Sequence, residues 1–157
     1  MKPETNTKNF RKLKIAILDK SDSKIWNEAI HEWAEVGREQ TFDNNNHCLC
    51  GHAIHEICYI LNTKNNAEEI VGNCCISYFL ETDSDRFFQG LRRIRTDNKK
   101  SANEALINWA KKENILNEWE QGFYLSIWRK RKLTERQWKK KISLNEKLLI
   151  GFQGVGQ

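Results

Sequence analysis

Cys48-Leu49-Cys50-Gly51-His52 is answered further along the chain by Val71-Gly72-Asn73-Cys74-Cys75-Ile76. Between them, residues 54–61 carry Ile, Tyr and Cys in short alternation. A turn rich in Asn and Lys follows at 62–67, and an apolar run returns at 69–79. This is the pattern of a β-hairpin. Four of the chain's five cysteines and a histidine therefore fall at the two ends of one hairpin. Thiolate and imidazole are the ligands of structural zinc, which takes four in a closed tetrahedron. Cys48, Cys50 and Cys75 supply three, and His52 is the candidate fourth. His55, His47 and Cys74 compete for that place. Cys58 lies mid-strand and reads as a small core residue. Gly51 admits the tight backbone that turns two sulfurs toward one ion. Gly72 inside the returning strand calls for a bulge or a close backbone approach. Zinc is preferred to iron because too few cysteines are present for an all-Cys cluster beside the histidine.

Working outward, Ser21-Asp22-Ser23 is a helix start, and Ile25, Trp26, Ala29, Ile30 and Trp33 follow helical spacing. The expectation is a helix over 23–36 with its Trp residues in the core. Residues 10–18 fit a helix through Phe10, Leu13 and Ile17, or a strand through Leu13, Ile15 and Ile17. Residues 1–9 and 151–157 read as flexible tails. After the hairpin the periodicity turns helical. Phe87, Leu91 and Ile94 mark a helix over 84–95. Ser101 and Glu104 have the spacing of a capping box, as do Thr134 and Gln137. Asn117 to Glu120 opens another helix, with Leu116, Trp119, Phe123 and Ile127 on one inward stripe. The last helix runs to about residue 150, with Leu133 and Trp138 spaced as a hydrophobic staple.

The expected fold is α+β. A zinc-stapled β-hairpin packs on an N-terminal helix and is followed by a basic region of three to four helices. One domain spans 1–157, acidic over 10–83 and basic over 84–150. This length buries a real core, so the metal aids the fold and is not its sole support.

Charge divides the chain. Residues 1–85 hold 9 Lys/Arg against 14 Asp/Glu, a net −5, while 86–157 hold 17 against 7, a net +10. A basic half points to nucleic acid, and an acidic half to a basic partner. The candidate phosphate contacts are Arg92, Arg93, Arg95, Lys99 and Lys100, then Arg129, Lys130, Arg131 and Lys132, then Lys139, Lys140 and Lys141. Tyr124 and Trp128, four apart, form a second helix face suited to a protein interface. No apolar run approaches the roughly 18–20 residues that span a bilayer. The polar N-terminus lacks a secretion signal, so the expected location is the cytoplasm. An odd cysteine count in a reducing compartment favours metal ligation over disulfides.

Catalytic signatures are missing from the sequence. There is no H-E-x-x-H, no phosphate-binding Gly loop and no G-x-S-x-G. His52, His55 and Glu56 do not have the spacing of a zinc deaminase. His31-Glu32 reads as a helix-surface pair.

The motifs Trp26-x-x-Ala29-x-x-Glu32-Trp33, C-x-C-G at 48–51, Asn62 and V-G-N-x-C-I at 71–76 resemble a family of small bacterial and phage proteins. That family shares a C-x-C-G…V-G-x-x-C zinc-binding hairpin. Trp119-Glu120-x-x-Phe123 and Lys132-Leu133-Thr134-x-x-Gln137 are similar to its helical end, so the resemblance covers residues 23–150. It implies metal binding at Cys48, Cys50 and Cys75 and a setting in mobile elements and defence. One member type is a pro-CRISPR accessory protein, which binds a type II RNA-guided effector and strengthens its grip on DNA. The expected function is therefore a non-catalytic zinc-binding accessory protein, docking on such an effector through its acidic half and working as a homodimer. The alternatives are a free-standing zinc-dependent nucleic-acid binder and a small metal-dependent nuclease.

Overall fold

The computed structural model describes residues 7–155, with side chains as far as Gln153. The chain divides into two compact units, Met1–Thr82 and Asp83–Gln157.

The first unit opens with α1 (Lys8–Asp19), capped by Thr7, whose hydroxyl accepts the Phe10 amide at 3.1 Å. The ambiguity over 10–18 resolves as a helix: Phe10, Leu13 and Ile17 are buried, and Ile15, the residue a strand would have turned inward, is 68% exposed. The tail expected over 1–9 is thus helical from Lys8; residues 1–6 lie outside the described part.

The helix expected over 23–36 is corrected. It shrinks to α2 (Trp26–Ala29) and a 3₁₀ turn, Ile30–Glu32, after which the chain is β1 (Trp33–Gln40). The cause is Glu32, 1% exposed and no surface residue. Its carboxylate accepts the amides of Asp22 at 2.8 Å and Ser23 at 2.7 Å and the Asn62 Nδ2 at 2.7 Å. That bond pattern ties the end of the turn back to its beginning, and an α-helix over the same residues would carry Glu32 away from its own start. The Trp33 indole donates to Ser21 Oγ at 2.9 Å, closing the same loop.

The strand β1 pairs antiparallel with β2 (Glu56–Asn62), which pairs antiparallel with β3 (Glu68–Gly72), in sheet order β1-β2-β3. The bulge lies in β1, between Glu35 and Gly37. The returning strand is shorter than the expected 69–79. It ends at Gly72 and passes into a helical turn, α3 (Asn73–Ile76). Phe10, Leu13, Ile17, Ile57, Val71 and Ile76 are among the buried side chains of this unit.

The second unit is four helices: α4 (Ser84–Thr96), α5 (Glu104–Lys112), α6 (Glu118–Ile127) and α7 (Glu135–Val155). Of the residues expected as a C-terminal tail, 151–155 continue α7, and 156–157 lie outside the described part. The Phe152 ring meets Phe87 at 5.4 Å and Trp109 at 5.6 Å between centroids. The start of α4 and the ends of α5 and α7 therefore share one end. Away from that end, Tyr124 accepts the Ala102 amide at 2.8 Å and donates to Asn145, midway along α7. Asn145 Nδ2 donates to the carbonyls of Asn98 at 2.8 Å and Lys100 at 2.7 Å. The helices thus alternate in direction.

Two local expectations change here. Asn103, not Ser101, caps α5, its Oδ1 accepting the Leu106 amide at 3.1 Å. The Ala102 amide, just before that cap, donates to Tyr124. Tyr124 itself is fully buried, so it belongs to the core and to no interface. The other caps form as spaced: Asn117 and Glu120 make a reciprocal box, and so do Thr134 and Gln137. No helix among the described residues is long and apolar enough to cross a membrane.

Candidate metal centre and basic end

The link between β1 and β2 is built as a knuckle. The Gly51 amide donates to the Cys48 carbonyl at 2.8 Å, a four-residue turn, and Gly51 takes φ +94°, where any side chain would be strained. The Cys48 amide donates to the His52 carbonyl at 2.8 Å, and His47 and Ala53 form a bridge beneath. The knuckle therefore presents Cys48 and Cys50 from one rigid turn. Cys75 comes from α3, directly after β3. Pairing of Ile57 with Gly72 brings that end of the hairpin to the knuckle.

The three sulfurs lie within 4.8 Å of one another, and all three residues are buried. Three cysteines this close could hold a metal ion. They are free thiols. The Gly72 amide donates to Cys48 Sγ at 3.3 Å. A Cβ at Gly72 would meet Ile54 Cγ2 at 3.0 Å, so a side chain there would press on Ile54. The Cys75 thiol also donates to Cys48, and the Cys50 and Gly72 amides add to it. Together they outweigh burial and bring the Cys48 thiol down to about 6. Cys75, as the donor, is pushed up by the same bond and by burial. Burial and the neighbouring Cys48 charge push Cys50 up, against the His52 amide. Amides aimed at sulfur favour thiolate, the form a metal binds.

His52 is not in the group of three. It is exposed, and its Nδ1 accepts from Asn9 Nδ2 at 3.3 Å. His47, His55 and Cys74 are also exposed and outside the group. Cys58 is fully buried in β2, as expected. No motif announces that α1 reaches the knuckle: besides Asn9, Lys12 brings its Nζ so close that a Cβ on Gly51 would lie 3.7 Å from it.

In the second unit the basic residues gather at one end. Asn145, midway along α7, and Lys141, a turn nearer its start, hold the α4–α5 loop: Asn145 grips the Asn98 and Lys100 carbonyls, and Lys141 Nζ donates to Ser101 Oγ at 3.4 Å. The α6–α7 turn, with Arg129 to Lys132, immediately precedes α7. At about 1.5 Å per residue, the turn and Lys141 are roughly 10 Å apart along the axis. Segments 92–100 and 129–141 thus share that end. They hold 13 of the 17 Lys/Arg of residues 83–157 and only 2 of the 9 Asp/Glu.

The individual placements differ. Arg92, Arg93, Lys99, Lys100 and Arg129 to Lys132 are exposed, and Arg95 is half-buried. Lys139 is exposed and pairs with Glu135 at 3.0 Å; Lys140 is half-buried. Lys141 is corrected: it is 4% exposed, its amine 4.0 Å from the Trp138 ring centroid, and burial lowers its pKa. A buried ammonium turned inward is a structural group and no phosphate contact. Trp128 carries the Arg129 guanidinium 4.5 Å over its ring.

No family model, curated protein or solved structure matches the chain, so its function has to be argued from its own residues.

Proposed function

We propose that the chain is a zinc-binding accessory protein without catalysis of its own, which lends phosphate contacts to a nucleoprotein partner. The observation that carries this is the gathering of two sequence-distant basic segments, 92–100 and 129–141, at one end of a four-helix unit. Such a concentration of one sign attracts phosphate, with affinity that falls steeply with salt and varies little with sequence.

The thiol triad fits zinc. A tetrahedral ion with Zn–S near 2.3 Å separates its sulfurs by about 3.8 Å, within the spread of the three cysteines. His52 is our assignment for the fourth ligand through Nε2; binding there requires the ring proton on Nδ1, which then donates to the Asn9 side-chain oxygen in place of accepting from its amide. Bound there, zinc supplies a cross-link between the knuckle and the end of the hairpin.

Support for protein docking comes from the first unit. It carries 9 Lys/Arg against 12 Asp/Glu in residues 1–82, and it exposes Ile25 (60%), Val36 (59%) and Phe42 (76%). The partner we propose is a DNA-binding effector of the type II RNA-guided class, the one that the family resemblance implies. Affinity capture from the host with and without nuclease treatment tests it. A single effector retained after digestion is the expected result. Loss of every captured protein with the nucleic acid would leave a free-standing binder.

A further inference from the structure

Of the stripe that spacing turns inward on α6, Leu116 and Ile127 are buried, yet Trp119 is 63% exposed, and Glu120 and Tyr124 take the buried side there. A large aromatic on the surface forgoes the burial that usually places it in a core. Trp119 is not loose, however. Its ring stacks on Phe123 with 5.4 Å between centroids and 15° between planes. Lys140 of α7 holds its Nζ 5.5 Å from the Trp119 centroid. Next to the indole, Glu120 is neutralised by Lys147 at 2.9 Å. The result is an exposed aromatic ring, stacked on Phe123 and with the Lys140 amine over it, on a unit of net charge +8 over residues 83–157. Lys139 and Lys140 lead toward it along α7 from the basic end.

We propose that Trp119, braced by Phe123, is a stacking platform for an unpaired nucleobase, with Lys140 taking an adjacent phosphate. This rests on the phosphate-binding reading of the same unit. A nucleotide offers a flat π face for the indole and an anion that draws the flexible Lys140 amine off the ring. Every base has such a face, so recognition is tolerant of sequence. Bases inside a duplex keep their faces stacked on one another, so the platform serves a single strand and adds nothing to a duplex. An apolar peptide segment would cover the indole but leave the lysine without a counter-charge.

The test uses the full chain with oligo(dT) and with a mixed-sequence duplex, read by tryptophan quenching and fluorescence anisotropy. Trp119→Ala should weaken oligo(dT) binding roughly tenfold and leave duplex affinity unchanged. Trp119→Phe should keep most of the affinity, which guards against a folding defect in the first variant. Lys140→Ala should lower the single-strand salt slope by about 0.7. If Trp119→Ala leaves oligo(dT) binding intact while replacement of Arg129 to Lys132 weakens the duplex, the platform is overturned and the basic end stands. If the parent binds neither nucleic acid, both fall. If Trp119→Ala instead dissociates a dimer seen by sedimentation, the patch faces a second copy, and the proposal is overturned.

Discussion

Tyr124 and Asn145, 21 residues apart, meet in the buried centre of the second unit, the phenol donating to the Asn145 carbonyl oxygen. The same phenol accepts the Ala102 amide, and Asn145 in turn grips the carbonyls of Asn98 and Lys100. One buried pair thus fixes α6, α7 and the basic α4–α5 loop together. Burial raises the Tyr124 pKa to about 12, so the phenol stays neutral and remains a donor at physiological pH.

Tyr124→Phe removes the hydroxyl and leaves the Ala102 amide and an Asn145 oxygen short of a partner. Unpaired buried groups cost about 1–3 kcal/mol, and denaturant titration should show a loss of that size. Hydrogen exchange at the Ala102 amide should accelerate in the variant. Unchanged protection there would mean that the loop is held by other contacts.

Glu32 sets the acid sensitivity of the first unit. The Ser23 amide, helped by Asn62, the Asp22 amide and Lys64, holds its carboxylate below the ordinary 4.5 despite burial. A carboxylate with a lowered folded pKa adds stability that is complete above the unfolded value. That stability is lost as pH falls through the folded value. Glu32→Gln should therefore destabilise the unit at neutral pH, with the gap to the parent narrowing as pH drops below about 4. A gap independent of pH would show that Glu32 acts by shape alone.

The basic end makes a contrast between neighbouring lysines. Replacing Arg129, Lys130, Arg131 and Lys132 by Ala should weaken duplex binding alike for unrelated sequences. It should also reduce the salt slope by about 0.9 for each phosphate that is no longer neutralised. Lys141→Ala should change the slope little and stability more, because its amine lies against Ser101 and Trp138. Equal slopes in the parent and the four-residue variant would show that these side chains do not meet phosphate.

Local chemistry was legible in the sequence where a signal is complete within a few residues. The boxes at Asn117–Glu120 and Thr134–Gln137 formed because each needs only its own backbone. The cysteine spacing located the candidate metal centre, since a turn and a hairpin end bring those sulfurs together by local geometry. Illegible were features decided by distant partners. Ile25, Trp26, Ala29, Ile30 and Trp33 are spaced as a helix, but Glu32 binding back to Asp22 and Ser23 ends it early, and pairing with β2 extends the rest as a strand. Helical spacing puts Trp119 on one stripe with Leu116 and Ile127, which are buried, but does not show that the neighbouring helix leaves the start of that stripe uncovered. A run of three lysines at 139–141 does not show which one turns toward Ser101, so Lys141 reads like its neighbours as a surface residue. The approach of α1 to the knuckle depends on Asn9 and Lys12, ordinary polar residues without a motif.

If Cys48, Cys50 and Cys75 hold a metal ion that ties the knuckle to the hairpin, elemental analysis of the purified chain will find it. The expected result is one zinc per chain in the parent. That zinc should be lost in Cys48→Ser and Cys75→Ser, with a less stable sheet, since structural metal binding is folding free energy. His52→Ala should weaken retention against a chelator without abolishing it. A parent protein that carries no metal, and whose stability is the same with and without chelator, would refute the metal centre.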